Sequence, residues 1–162
     1  AGRSRRPQIK LANKFGISDY PAPAGGCLLT DKGYSDRLRD LFDHQDTCSE
    51  AELHLLKFGR HFRLNADTKL IVGRTQKDNE RILEHHRPDR DIVIDVVNYP
   101  SPIGLIPNGG KKDAVVLAGS ICSGYSKAPN FTSVDVRVTG PRGRETIQVI
   151  GIPPEDVHKL LI

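Results

Sequence analysis

Two stretches alternate polar and apolar residues around a turn, and they limit the fold more than anything else in the chain. Val134 to Val138 and Thr146 to Ile150 alternate cleanly and are joined by Gly140-Pro141-Arg142-Gly143. Arg60-His61-Phe62-Arg63-Leu64 and Thr68 to Val72 flank the turn Asn65-Ala66-Asp67. Successive side chains of a strand point to opposite faces, so a period of two around a turn reads as a hairpin. The strand Arg60 to Leu64 is expected to be half-buried, with its two arginines and histidine on or near one face.

Between and before the hairpins the period changes. Gln76 to His86 and Lys111 to Tyr125 read as helices, the second with small residues (Ala114, Ala118, Gly119) that permit close packing. "DIVIDVV", residues 91–97, is a β-branched strand stopped by Pro100 and Pro102, and 103–106 is a further short strand. Upstream, Arg5 to Phe15 and Tyr34 to His44 are helical, and Cys27 to Thr30 is a short strand after Gly25-Gly26. Ser49 and Glu52 form a capping box that starts a helix over 50–58. Pro153 opens a last short helix ending at Leu161.

The order is therefore α+β: a mixed or antiparallel sheet with flanking helices, residues 59–162, preceded by a helical and loop linker, residues 1–58. The linker begins in a helix and runs into a Pro/Gly loop, as the tail of a larger upstream domain would.

Charge and cysteine content narrow the class. Net charge is +4 with a pI near 9.1. Residues 1–18 carry Arg3, Arg5, Arg6, Lys10 and Lys14 and no acid, and residues 57–90 are also basic. Such stretches suit a polyanion, or simply a solvated surface. Cys27, Cys48 and Cys122 are an odd number without a close pair, which argues against a disulfide framework and a cysteine zinc site. With no membrane-spanning run and no signal peptide, the expected compartment is the cytoplasm. No P-loop, G-x-S-x-G, H-E-x-x-H or C-x-x-C is present. Gly109-Gly110-Lys111-Lys112 reads as a basic turn, the histidines as surface residues, Cys48 as incidental and Cys122 as core.

"VGRTQKDNERIL", residues 72–83, is more specific. It places Arg74 at a strand-to-helix corner, where a planar guanidinium can meet phosphate or a base edge, or can pair with Asp78 or Glu80. "GRTQKDNERIL", then "DIVID", a helix closing on "ICSGYSKA" and a strand "VDVRV" resemble the NFACT-R domain, an RNA-binding module, over about residues 68–138. The resemblance carries over Gly73, Arg74, Asn79, Glu80, Asp91, Tyr125 and Ser126. It departs at Val93 and Asp95, where the family has an aromatic and a histidine, and at "PSPIGLIP".

The front of the chain, "RSRRPQIKLANKFGISDYPAPAGGCLLTD…LLKFGRHFRL", is similar to the segment joining a PP-loop ATPase to an NFACT-R-like domain in bacterial tRNA thiouridine synthase-like proteins. "AGGCLLTDKGYSDRLRDL" also resembles the Gly-X-Cys segment of tRNA 2-thiouridylases. This resemblance implies tRNA as partner, a persulfide sulfur donor, and Cys27 as a sulfur-relay thiol. Glycines would clear the approach to Cys27, and Arg37, Arg39 or Arg60 would favour its thiolate. On its residues alone Cys27 reads equally as a packed small hydrophobe. The motif Ser-Gly-Gly-x-Asp-Ser is not in these residues, so ATP would enter only through a missing or separate PP-loop domain, as a domain or subunit. No cofactor, metal or membrane is expected for this chain itself.

The expected RNA contacts are Arg5, Arg6, Lys10, Arg60, Arg63, Arg74 and Asn79. The alternative is a stand-alone RNA- or protein-binding module without catalysis.

Overall fold

The computed structural model describes residues 6–17, 27–129 and 131–162. Arg5 and the loop through Gly25-Gly26 lie outside them. α1 (Arg6–Lys14) buries none of its residues, and Leu11 and Phe15 face solvent. The short strand expected at 27–30 is instead a single 3-10 turn, Leu28–Thr30. Both the amide and the hydroxyl of Thr30 donate to the Cys27 carbonyl, at 2.8 and 2.7 Å, which curls the chain before it can pair. Asp31 then caps α2 (Lys32–His44), its carboxylate accepting from the Tyr34 amide.

α3 (Glu50–Leu55) begins with the expected capping box and stops before the expected 58. Gly59, at a φ of 73°, turns the chain into β1 (Arg60–Asn65). A Cβ there would collide with the Val72 carbonyl as well as strain the backbone. β2 (Thr68–Val72) closes the first hairpin. α4 (Gln76–Glu84), β3 (Ile92–Val96), β4 (Gly104–Ile106) and α5 (Lys112–Gly124) follow. β5 (Ser133–Gly140) and β6 (Gly143–Ile150) form the second hairpin. The last expected helix shrinks to a 3-10 turn, His158–Leu160. There the Ile162 amide donates to the His61 carbonyl, drawing the segment along the outer side of β1.

The strands form one six-stranded sheet in the order β1-β2-β4-β3-β5-β6, with every neighbouring pair antiparallel. β2 and β3 run the same way with β4 between them, and β4 and β5 with β3 between them. These are two interlocked split β-α-β units. They send α4 and α5 to opposite faces of the sheet.

α5 covers one face. Its buried Ala118, Ile121 and Cys122 meet Phe62, Leu70, Val72, Ile94 and Val136. Small residues allow the approach: a Cβ on Gly104 would collide with the Cys122 sulfur. Cys122 is thus core, as expected, and burial pushes its thiol up to about 12. Each fully buried Phe, Leu or Ile in this layer contributes roughly 1.5–3 kcal/mol.

On the other face Leu55 of α3 and Ile82 of α4 pack on Ile71 and Leu105. β1 is therefore covered on both sides at its centre, with His61 and Phe62 wholly buried, rather than half-buried as the alternation suggested. α2 and α3, in the segment expected to be a linker, are fastened to this face by ion pairs. Asp40 takes Arg63 and Lys69, and Glu52 takes Arg87. Beyond β3 the same face is open, with Arg137 paired to Asp95 and Gln148 bonded to Asp135.

Candidate nucleic-acid interface

The corner between β2 and α4 is tightly built. Gly73 donates its amide to the Ile103 carbonyl at 3.0 Å, and Asn79 Oδ1 accepts the Ile103 amide at 3.1 Å. A Cβ on Gly73 would collide with the Asn79 side chain, so glycine is required there. Thr75 caps α4, its hydroxyl accepting from the Asp78 amide. Asp78 Oδ2 accepts from the Gly59 amide, the Arg74 amide and Arg74 Nε, at 3.3, 3.2 and 2.8 Å. Burial pushes the Asp78 carboxyl up, and the hydrogen bond from Arg74 outweighs it, leaving it below the usual carboxylate value.

This corner holds Arg74 while consuming little of it. The side chain is 44% exposed, and only Nε has a protein partner among the described residues. A second guanidinium stands near. Arg37 of α2 donates Nη1 to the Leu56 carbonyl at 3.0 Å, and its Nε is buried without a partner. Burial lowers the Arg37 pKa, and the positive charge of Arg74 lowers it further. Arg37 and Arg74 thus stand near the start of α4 with donors left over, and the carboxylates of Asp31 and Asp78 offset part of the charge that Arg37 feels. Gln76 and Lys77 in the first turn of α4 are exposed on the same corner.

The other expected contacts are dispersed. Arg60 follows the alternation of Phe62 onto the α5 face, with its guanidinium 4.8 Å from the centroid of the Tyr125 ring. Tyr125, at the end of α5, leans in turn on Phe62. Arg63 points to the opposite face and forks onto Asp40, Nε to Oδ1 at 3.0 Å and Nη2 to Oδ2 at 2.6 Å. The two arginines expected on or near one face are thus on different faces, because an odd spacing in a strand inverts the side. Asn79 spends its carbonyl on Ile103. Arg6 and Lys10 lie on exposed α1, and Arg5 lies outside the described residues. Cys27 is exposed. The cations proposed to favour its thiolate are engaged elsewhere: Arg37 at Leu56, Arg39 at Asp36, Arg60 at Tyr125.

Of the remaining motif residues, Asp91 is wholly buried and receives Arg87 and the Asn108 amide, and Ser126 closes a turn with Ser123 and Ala128. Among the described residues no group of three or more His, Cys, Asp or Glu is placed to hold a metal, and no helix is long and apolar enough to cross a membrane.

Residues 59–161 match the model of the NFACT protein RNA-binding domain. The chain belongs to that family. The match begins at Gly59, where the chain enters β1, and carries RNA binding as the function of the family. The C-terminal part of the fibronectin/fibrinogen-binding protein from Streptococcus suis shares the fold, with a TM-score of 0.56 and 14% identity. The alignment covers 64% of this chain and 49% of that one, so this chain spans about half of that structure. The comparison with curated proteins found no match.

Arg37, expected to favour the Cys27 thiolate, instead stands where the charge of Arg74 acts on it. It stands 37 positions before Arg74, on a helix outside the family match, and no local pattern signals their approach.

Proposed function

We propose that this NFACT-R domain binds RNA through phosphates held at the β2–α4 corner, and that the RNA is tRNA. The observation that carries the reading is the pair Arg37 and Arg74, two guanidiniums fixed by the fold with donors left over. Arg60 over Tyr125, at the same end of the sheet, supplies a cation and a ring for an unstacked base. The test is the affinity of the chain for unmodified tRNA by fluorescence anisotropy at several salt concentrations. Affinity should fall linearly on a log–log plot. Replacing both Arg37 and Arg74 by Gln should lower the slope by about two. An unchanged slope would move the site elsewhere.

A second reading keeps tRNA and adds sulfur transfer, with a PP-loop ATPase supplying ATP-dependent activation and a persulfide as donor. The exposure of Cys27 favours it, since a relay thiol must be reachable. In a thiolation reaction with such an ATPase, Cys27→Ser should abolish product while tRNA affinity holds. Full activity of the variant would remove Cys27 from the chemistry.

A further inference from the structure

The β2–α4 corner lies at one end of the sheet, and every strand has a terminus there. The pairs Arg60–Val72, Val72–Gly104, Gly104–Ile94, Val96–Val136 and Ser133–Ile150 set the starts of β1, β4 and β5 beside the ends of β2, β3 and β6. The residues after α5 border this end. Tyr125 lies under Arg60 of β1, and the Lys127 amide donates to the Pro100 carbonyl, at 3.0 Å, in the segment that follows β3. The chain then enters β5 at Ser133.

Two aromatic rings are exposed along this rim: Tyr99, just after β3, and Phe131, just before β5, the latter 77% exposed. Neither has an aromatic partner among the described residues. Phe131 sits at a φ of 61°, a left-handed conformation that is uncommon for a bulky side chain and easier for glycine or asparagine. A ring that adds nothing to the core, carried on a strained backbone, points to a use outside the fold. Cations accompany the rings: Arg60 at β1, Arg74 after β2 and exposed Lys127 beside the segment that follows β3. The nearby carboxylates already have partners, Asp78 in Arg74, Asp95 in Arg137 and Asp135 in Gln148.

We infer that this end of the sheet carries a single-stranded segment of the bound RNA, with one base stacked on Tyr99, another on Phe131, and phosphates on Arg60, Arg74 and Lys127. Open ring faces among cations suit a single strand, whose bases stack while its phosphates pair. A duplex keeps its bases inside and cannot use the rings. The length fits as well. Four strand spacings separate β1 from β5, about 19 Å, which is about five nucleotides of a stacked strand. A loop or a free 3′ end of a tRNA is such a segment. The inference rests on the RNA-binding reading above and adds to it the form of the RNA and two residues that meet bases.

The chain contains no tryptophan, so Tyr99→Trp and Phe131→Trp each introduce a lone indole whose fluorescence a stacked base quenches. Each variant, as the whole chain, is titrated with oligoadenosine, with an abasic ribose-phosphate chain of equal length and with a blunt RNA duplex. Oligoadenosine should quench both indoles, and the other two should quench neither. By anisotropy, Tyr99→Ala and Phe131→Asn should each weaken oligoadenosine binding roughly tenfold while leaving the abasic chain and the salt slope unchanged. Phe131→Asn should keep or raise the melting temperature, since asparagine suits a positive φ. No quenching at saturation, wild-type affinity in both ring variants, or a duplex that binds as tightly as oligoadenosine would overturn the inference and leave phosphate binding at the corner intact. No binding of any of the three, the abasic chain included, would overturn both.

Discussion

Arg74 and Arg87 are one device built twice, at the two ends of α4. Each stands four residues before an aspartate and gives that carboxylate both its backbone N–H and its Nε. Their surroundings differ. Arg87 continues to Ser49, Glu52, Asn108 and the second oxygen of Asp91, so all five guanidinium N–H groups are spent. Its side chain is 17% exposed and that of Asp91 not at all. Arg74 spends one donor and is 44% exposed. The same local pattern is a structural clamp where α3 supplies acceptors and an open donor where it does not. Residue type and spacing find the clamp; the donors left over decide whether it can hold a ligand.

The difference should be largest in stability. Arg87→Met leaves the carboxylates of Asp91 and Glu52 buried without their cation, and unfolding in urea should show a loss of about 3–5 kcal/mol. Arg74→Met breaks an ion pair with one exposed partner and should cost at most about 1 kcal/mol. Equal losses would mean that the two arginines are not different in kind.

Acid should sharpen the contrast. Burial pushes Glu52 up, but its bonds from Ser49 and Asn108 and the Arg87 charge hold it below 4.5, and Asp78 is held below 3.8 against burial by Arg74. Groups depressed in this way stabilise the fold above their unfolded pKa, and that contribution is lost as pH falls through the folded one. His61 starts the loss earlier. Wholly buried, it is held well below 6.5 by burial and by Lys69 and Arg37, so the unfolded chain takes up that proton first as pH drops below 6.5. Urea midpoints should therefore decline in two stages. His61→Gln should remove the first and Arg87→Met should shrink the second.

RNA binding should reverse the ranking. Arg74→Gln should lower the salt slope by about one, while Arg87 variants, compared over their folded fraction, should leave it unchanged. The smallest effect is expected at Arg60. Arg60→Gln removes a cation over Tyr125 at a half-exposed site and should cost about 0.5–1 kcal/mol in stability by the same urea assay.

Much of this architecture can be read from the chain. Both hairpins announce themselves by period and turn, Ser49 and Glu52 by their spacing, and Cys122 by its apolar helix. Gly73-Arg74 marks the corner because glycine before a helix start is costly unless something needs the space, and here Asn79 does. The failures are those of distance. A 3-10 turn at Leu28–Thr30 and a strand have the same composition, and Thr30 decides between them through one carbonyl. The fork of Arg63 onto Asp40 joins residues 23 positions apart, and the neighbourhood of Arg37 and Arg74 depends on how α2 docks. Neither leaves a local periodic trace. Nor does the insertion of β4 between β2 and β3, a three-residue strand whose partners are set by where α4 and α5 carry the chain.

That insertion also orders events in time. The two hairpins are local and can close within microseconds, whereas β4 pairs with β2 only after a loop containing α4 and β3 has been brought back. Ile103, which satisfies both Gly73 and Asn79, arrives with β4. A refolding chain is therefore expected to carry two finished hairpins before Ile103 completes the corner. β3 and β5, whose paired residues stand 40 to 46 positions apart against 32 to 34 for β2 and β4, must close a longer loop still, so the corner should set before the second hairpin docks.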